Sequence, residues 1–164
     1  MFSNLISISV LLLTSVPLLV YFYTSNLFYL VLFYLTIVIA YCNENLKNLV
    51  SYIFDNSEWT VRPTGAKECS LLNNEDDSIN GFPSGHLVTT SFILTSIFMY
   101  SFYYANTAKG KKSKLLFVIL SSVYVMLMMY SRVEKRCHTL TQAIAGLVLG
   151  FFLGVVYTKV YKKW

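Results

Sequence analysis

The residues best suited to chemistry are the two histidines, the only ones in the chain. The first, His86, ends the run Phe82-Pro-Ser-Gly-His86, in which Pro83 and Ser84 are typical of a helix start. The free backbone N–H groups of a helix N-terminus attract phosphate, and Gly85 lets an oxyanion approach the backbone closely. An ordinary capped helix explains Pro83 and Ser84 but not Gly85 and His86, so we expect an anion to bind beside His86.

The second histidine, His138, has a candidate orienting partner four residues later, Gln142. Residues four apart share one face of a helix, so the Gln142 amide oxygen can accept the N–H of one imidazole nitrogen. The other nitrogen would then face the substrate as a nucleophile. Arg132 offers a planar fork for phosphate oxygens. The alternative is that the basic residues here only anchor a helix at lipid headgroups, which explains Lys135 and Arg136 better than Arg132.

A third candidate, Arg62, lies in the only long polar stretch of the chain, residues 43–81. The following Pro63 favours an extended backbone at Arg62, and the guanidinium supplies another fork for phosphate. The acidic run Glu75–Asp77 in the same stretch is interpreted as a solvated loop. We therefore expect no metal site and no cofactor.

Five apolar runs must position these residues, and none of them contains a charged side chain. Hydrophobic residues make up 55% of the 164 residues and charged residues only 13%, about half the charged share of a soluble domain. A membrane-crossing helix needs about 17–25 mostly apolar residues. We therefore predict one all-α domain, residues 1–164, that forms an integral membrane bundle of about five transmembrane helices. The predicted spans are Leu5–Tyr23 with a kink at Pro17, Leu27–Cys42, Leu87–Tyr104, Leu115–Tyr130 and Ala143–Tyr157.

The distribution of charge predicts which way the bundle crosses the membrane and argues against nucleic-acid binding. Five spans bring the connections 43–86 and 131–142, with both histidines, to one face of the bilayer, here called the site face. The opposite face carries the lysine clusters Lys109–Lys114 and Lys162–Lys163 and no acidic residue. Such clusters favour the cytoplasmic side, so we expect the site face to be lumenal or external. The basic residues are scattered among apolar runs, unlike the basic patch of a nucleic-acid-binding protein.

Two cysteines, Cys69 and Cys137, fall on the site face, where disulfides can form. Each lies near a candidate site residue. A disulfide between them and a pair of small buried thiols fit the sequence equally well, because the distance that decides between them depends on the fold.

Two further patterns concern helix packing. The apolar residues within Asn43–Asp55 recur at three and four positions, which predicts a helix that continues the second span or lies along the interface. Gly146, Gly150 and Gly154 form a ridge of small residues that allows another helix to approach closely. We favour packing within the chain for this ridge, with a homodimer as the alternative.

Three motifs in this order resemble those of the type 2 phosphatidic acid phosphatase superfamily, which comprises membrane-embedded phosphatases. The motifs are Arg62-Pro63, Pro83-Ser84-Gly85-His86 and Ser131-Arg132-x(5)-His138. The resemblance implies that His138 attacks phosphorus to form a phosphohistidine and that His86 protonates the leaving group. It also implies that phosphate oxygens are held without a metal by Arg62, Ser84, Gly85 and Arg132.

The chain departs from the family pattern at two positions. Where the first motif has a lysine, seven residues before the arginine, this chain has Asp55; Lys67 is our candidate for the missing cation. Where the third motif has an aspartate, this chain has Gln142. The resulting His-Thr-x-x-Gln form is similar to dolichyl diphosphate phosphatases of the same superfamily.

The sequence therefore predicts a metal-independent lipid phosphatase or diphosphatase that acts on a polyprenyl diphosphate or a phosphatidate-like lipid. The alternative is a catalytically inactive relative that binds lipid phosphates or scaffolds a membrane assembly. The expected partners are the lipid phosphate substrate and the bilayer. The expected location is the endoplasmic reticulum or another internal membrane. A viral envelope is a further candidate, since the short form is similar to proteins encoded by some large DNA viruses.

Overall fold

The computed structural model describes residues 2–55, 57–66, 69, 79–104 and 110–163. These residues form five α-helices, and α3 continues into one π-helical segment, Tyr100–Tyr104. Within the described ranges, extended backbone pairs only at an isolated antiparallel bridge between Val61 and Asn80. The all-α prediction is therefore confirmed. The helices are α1 (Phe2–Thr24), α2 (Leu27–Ile53), α3 (Gly85–Met99), α4 (Lys111–Glu134) and α5 (Leu140–Lys162).

Four of the helices are long and apolar enough to cross a bilayer, namely α2, α3 with its π-helical extension, α4 and α5. The apolar part of α1, Ile8–Thr24, is shorter, although the helix as a whole contains the predicted span and includes Pro17. Large apolar side chains such as Leu116 and Phe152 point outward, where only lipid tails would remove them from water. The chain is an integral membrane helical bundle.

The course of helix α2 decides whether residues 43–55 continue the second span or lie along the interface. The helix begins at the N-cap Asn26, whose side chain accepts a hydrogen bond from the backbone N–H of Phe28, and it runs without interruption to Ile53. The segment after Cys42 therefore continues the second span and does not form a separate interfacial helix. This continuation gives α2 a polar face near its C-terminal end, in which Asn43, Lys47 and Ser51 are all buried.

The second open packing prediction concerns the glycine ridge, which lies on α5 where this helix packs closely against α3. A Cβ atom on Gly146 or Gly150 would clash with the backbone of Ser84 or Val88. The two helices are also joined by a hydrogen bond of 2.9 Å from Ser91 Oγ to the carbonyl oxygen of Leu147. The ridge is used inside the chain, so it offers no surface for a homodimer.

The π-helical end of α3 packs into a cluster of aromatic rings at the end of the bundle away from the histidines. Phe28 stacks on Tyr100 with ring centroids 3.8 Å apart and on Tyr157 at 5.2 Å. The Tyr157 hydroxyl donates to the carbonyl oxygen of Phe28 at 2.8 Å. We call Phe28, Tyr100 and Tyr157 the aromatic cluster.

Candidate active site

The polar end of the bundle is built by the ends of four helices and the loop between α2 and α3. The C-terminal half of α2 contributes Lys47, the loop contributes Arg62, and the start of α3 contributes His86. Arg132 lies in the last turn of α4, and His138 in the short connection to α5. His86 and His138 lie within electrostatic reach of each other and of Arg132, Lys47 and Arg62.

The His138 ring is buried, with 2% of its surface exposed, and a backbone carbonyl orients it. Its Nδ1 lies 2.8 Å from the carbonyl oxygen of Gly81. Because a carbonyl can only accept, Nδ1 carries the proton and Nε2 keeps its lone pair. Burial, followed by the positive charges of Arg132, Lys47 and Arg62, holds the pKa of His138 well below its ordinary 6.5. The ring is therefore neutral at physiological pH and presents a nucleophilic nitrogen.

The prediction that the Gln142 oxygen receives the imidazole N–H is wrong in this structure. That oxygen accepts the backbone N–H of Thr139 at 3.0 Å, as half of a capping box at the start of α5. The amide nitrogen donates to the carbonyl oxygens of Trp59 and Val61, at 3.0 and 2.8 Å. Gln142 is the third residue after the N-cap Thr139, where a capping box favours glutamine, so local helix geometry turns its amide toward the loop.

The second motif sits at the start of α3, as predicted. Ser84 is the N-cap residue, but its side chain makes no capping hydrogen bond. The buried Ser84 Oγ and His86 Nε2 atoms have no hydrogen-bond partner within the described ranges. Gly85 packs tightly against α2, where a Cβ atom would come within 2.9 Å of Asn43 Nδ2. A side chain here would have to displace the Asn43 amide, and the site keeps two polar groups able to meet an oxyanion.

Both predicted arginines approach this site. Arg62 follows the bridge residue Val61, and its N–H donates to the carbonyl oxygen of Ile79 at 2.8 Å. Arg132 is almost completely buried, and its Nη2 donates to the carbonyl oxygen of Cys69 at 2.7 Å. The positive charges of both arginines act on the His138 ring.

Two polar residues of α2 join the site without having been predicted. Lys47 is 3% exposed, and its Nζ donates to Glu44 Oε1 at 2.6 Å. The same Nζ lies 3.8 Å from where a Cβ on Gly85 would be. The buried amide atoms of Asn43 have no hydrogen-bond partner in the described part of the chain. The available signal was the four-residue spacing of Asn43 and Lys47, which places both on one helix face.

Lys47 is a second candidate, beside the predicted Lys67, for the cation that replaces the missing family lysine. Lys67 lies outside the described residues. Asp55, at the position of the family lysine, is exposed just after α2, with a φ of 49°. Its charge faces solvent, whereas Lys47 lies two turns earlier on the buried face of the helix.

A disulfide links Cys69 to Cys137, whose Cα atoms are 5.4 Å apart. Of the two alternatives left open by the sequence, the structure has the disulfide. It attaches the chain at Cys69, whose carbonyl binds Arg132, to the connection between α4 and α5. The disulfide therefore supports both Arg132 and the segment that carries His138.

The described residues contain no group of three or more histidine, cysteine, aspartate or glutamate side chains able to hold a metal ion. The acidic run Glu75–Asp77 lies outside them. Independence from metal stays a prediction.

The fold and the site define an integral membrane protein of the all-α class, with a cation-rich polar site at one end of a helix bundle. The family model described as the PAP2 superfamily matches residues 27–164. The chain belongs to the PAP2 superfamily, as the three motifs had predicted. No curated protein sequence matches the chain.

A solved structure supports the same fold. The chain is similar to the crystal structure of the first transmembrane PAP2 type phosphatidylglycerolphosphate phosphatase from Bacillus subtilis, with a TM-score of 0.66. The sequences are 21% identical, and the match covers 99% of this chain and 74% of that chain. At this identity the similarity shows a shared fold.

Proposed function

We propose that the chain is a lipid phosphatase or diphosphatase that works through a phosphohistidine on His138. The observation that carries the proposal is the state of the His138 ring. It is neutral, it is bound through Nδ1 to the Gly81 carbonyl, and the positive charges of Arg132, Lys47 and Arg62 act on it. Several cations around one neutral imidazole suit a bound phosphate with a nucleophile beside it.

The proposed reaction has two steps. In the first, His138 Nε2 attacks phosphorus, the bond from phosphorus to the leaving oxygen breaks, and that oxygen takes a proton from His86. In the second, water attacks phosphorus, the bond from phosphorus to His138 Nε2 breaks, and His86 accepts a proton from the water, so that inorganic phosphate leaves and His138 is restored. Arg62 and Arg132 neutralise the charge that develops on the phosphoryl oxygens.

Lys47 and Asn43 extend the phosphate site toward α2. Lys47 supplies the cation that Asp55 does not, and Asn43 lies against Gly85 of the cradle. A lipid monophosphate needs the primary cradle alone, whereas a diphosphate brings a second charged group. The buried amide of Asn43, which is additional to the cations of the family pattern, supports the polyprenyl diphosphate as the preferred substrate, with a phosphatidate-like monoester as the second candidate.

The lipid tail would lie in an apolar groove of about 880 Å³ between α3, α4 and α5. Ser91 and Met129 line this groove; they are five residues after His86 and three residues before Arg132. At about 1.5 Å per residue, the groove begins one to two helical turns from the cradle. A hydrocarbon chain there would hold the phosphate at the site end.

The disulfide supports a lumenal or external position for the site face, because structural disulfides persist in oxidising compartments. The lysines at the other end of the bundle agree with that orientation. The similarity of the third motif to dolichyl diphosphate phosphatases makes an internal membrane the first location to examine, with a viral envelope as the second.

The proposal is tested with purified protein in detergent and an excess of chelator. A polyprenyl diphosphate, phosphatidate and phosphatidylglycerolphosphate are compared by phosphate release. We expect turnover in chelator, with the highest kcat/KM on the prenyl diphosphate. No release from any substrate, together with retained binding of the lipid phosphates, would instead establish the inactive lipid-binding relative.

A further inference from the structure

The Gln142 amide nitrogen makes two hydrogen bonds that tie the first turn of α5 to the loop carrying Arg62. We propose that Gln142 is a positioning residue. By donating both amide hydrogens to this loop, it sets the place of Arg62 and of the Gly81 carbonyl relative to His138. The inference rests on the proposed function only for its kinetic readout.

The connection from Gln142 to His138 can be followed bond by bond. The Gln142 nitrogen donates to the carbonyls of Trp59 and Val61, the residues on either side of Thr60. The Thr60 carbonyl oxygen accepts the N–H of Gly81 at 2.7 Å, and the Gly81 carbonyl oxygen binds His138 Nδ1. This series of hydrogen bonds begins at Gln142 and ends at His138, four residues earlier in the sequence. A shift of the loop would therefore turn the imidazole ring of His138.

Steric contact reinforces this hydrogen-bonded path. A Cβ atom on Gly81 would lie 2.7 Å from Gln142 Oε1, so the backbone of Gly81 packs directly on the amide. Gln142 is fully buried. Its side chain therefore holds the loop by contact as well as by hydrogen bonds.

The two accepting carbonyls explain why glutamine suits this position better than a carboxylate. A glutamine amide has two N–H donors, whereas an ionised carboxylate has none. A carboxylate here would face the Trp59 and Val61 oxygens with no proton between them, and a buried carbonyl left unpaired costs about 1–3 kcal/mol. Gln142 is therefore matched to this loop, and restoring the family aspartate would remove both bonds.

The competing explanation is that Gln142 only caps α5 through its oxygen. The two explanations give opposite expectations for Gln142→Glu. A glutamate keeps the length and the accepting oxygen, and a negative charge near a helix N-terminus is favourable. If capping were the whole role, this variant would match the wild type.

The experiment compares the wild type, Gln142→Glu and Gln142→Met from pH 5 to pH 8, with Thr141→Asp as the control. Thr141 is exposed on the same turn, and its hydroxyl bonds to the N-cap Thr139, so its variant adds the same charge beside the cap without touching the loop. Each variant is first checked by size-exclusion chromatography and thermal unfolding. Activity is reported as kcat/KM relative to wild type at each pH, and the Ki of inorganic phosphate is measured in parallel.

We expect Gln142→Glu to lose about tenfold or more in kcat/KM at pH 8, as about 1.4 kcal/mol of lost positioning implies. The loss should shrink as the pH falls, because burial and two facing carbonyls raise the pKa of a glutamate and its protonated form can donate one hydrogen bond. Gln142→Met should lose a similar amount at every pH. The Ki of phosphate should rise in both, and Thr141→Asp should match the wild type.

A second readout does not require turnover. Trp59, one of the two acceptors, is one of only two tryptophans in the chain, so a Trp164→Phe background makes it the only indole reporter. We expect the fluorescence emission of Trp59 to change with pH between pH 5 and pH 8 in Gln142→Glu. It should not change in the protein that keeps Gln142 or in Gln142→Met. If the lipid assays fail, this readout still decides the inference.

Two results would overturn the inference. One is a Gln142→Glu protein with wild-type activity and phosphate affinity at all pH values. The other is a deficit that does not change with pH, accompanied by Trp59 emission that does not titrate.

Discussion

The two ends of the bundle differ in whether their buried polar groups have hydrogen-bond partners. In the aromatic cluster of Phe28, Tyr100 and Tyr157, the Tyr157 hydroxyl donates to the Phe28 carbonyl, and Asn26 donates to the Tyr100 hydroxyl at 2.7 Å. At the site end, the buried side-chain atoms of Ser84 and Asn43 have no partner within the described ranges. Buried polar groups are normally satisfied, so the aromatic cluster is organised for stability and the site end for an oxyanion.

The largest effect is expected from the substitution that removes the nucleophile at the site end. His138→Ala should abolish phosphate release, because no other group takes its place in the proposed reaction. His86→Ala should lower the rate with a dependence on the leaving group, since a stable leaving group needs its proton less. Initial rates on a prenyl diphosphate and on phosphatidate measure both variants. Normal turnover by His138→Ala would refute the mechanism.

The next effect concerns the cation supplied by α2. Lys47→Met should raise KM by about tenfold or more, because a buried charge-assisted contact contributes about 1.5–3 kcal/mol. It should also move the acidic limb of kcat/KM to higher pH. The Lys47 charge helps to hold the pKa of His138 below 6.5, and His138 is active only when neutral, so losing that charge raises the pKa and activity is lost sooner on acidification.

The control for this variant is Lys159→Met, the same substitution at an exposed lysine near the other end of the bundle. It should leave both KM and the pH profile at wild-type values. An unchanged acidic limb in Lys47→Met would show that Lys47 does not act on His138.

A smaller effect is expected from the disulfide. Cys69→Ser or Cys137→Ser should lower kcat/KM by about tenfold, as roughly 1.4 kcal/mol of weakened Arg132 support implies. Cys42 is free and exposed, so Cys42→Ser is the matched control and should retain full activity. Adding reductant should lower the activity of the Cys42→Ser protein to that of the other two. Equal activity in all three variants, with and without reductant, would contradict this support of Arg132.

The smallest effect lies in the aromatic cluster. Tyr157→Phe removes one buried hydrogen bond and should lower the free energy of unfolding by about 1 kcal/mol. Turnover should stay within about twofold of wild type, since the cluster lies at the other end of the bundle. Thermal unfolding and phosphate release measured on the same preparation check both parts. A large loss of turnover without loss of stability would mean that the two ends are coupled.

The sequence was informative where local rules decide the structure. Apolar runs predicted the helices, and the N-cap position of Ser84 followed from its neighbours. The partner of His138 could not be predicted in this way. Helical spacing favoured Gln142, but the actual partner is the carbonyl of Gly81, which comes from another connection and carries no side-chain signal.

Lys47 was missed for a related reason. It lies 15 residues before Arg62, farther away than the family spacing suggests. Its burial depends on α2 continuing past its apolar part and packing against Gly85. The periodicity of 43–55 left open whether the helix continues, so only the folded structure could assign this cation to the site.

The central claim is that His138 Nε2 is the nucleophile. Its most direct test is to trap the intermediate. Wild-type protein, His138→Ala and His86→Ala are mixed with a lipid phosphate carrying labelled terminal phosphate, quenched within milliseconds and digested for mass spectrometry. We expect labelled phosphate on His138 in the wild type, stable to alkali and labile to acid. We expect none in His138→Ala. In His86→Ala we expect slower breakdown, since the base for the second step is missing. Turnover with no label on His138, or label on another residue, would contradict the claim.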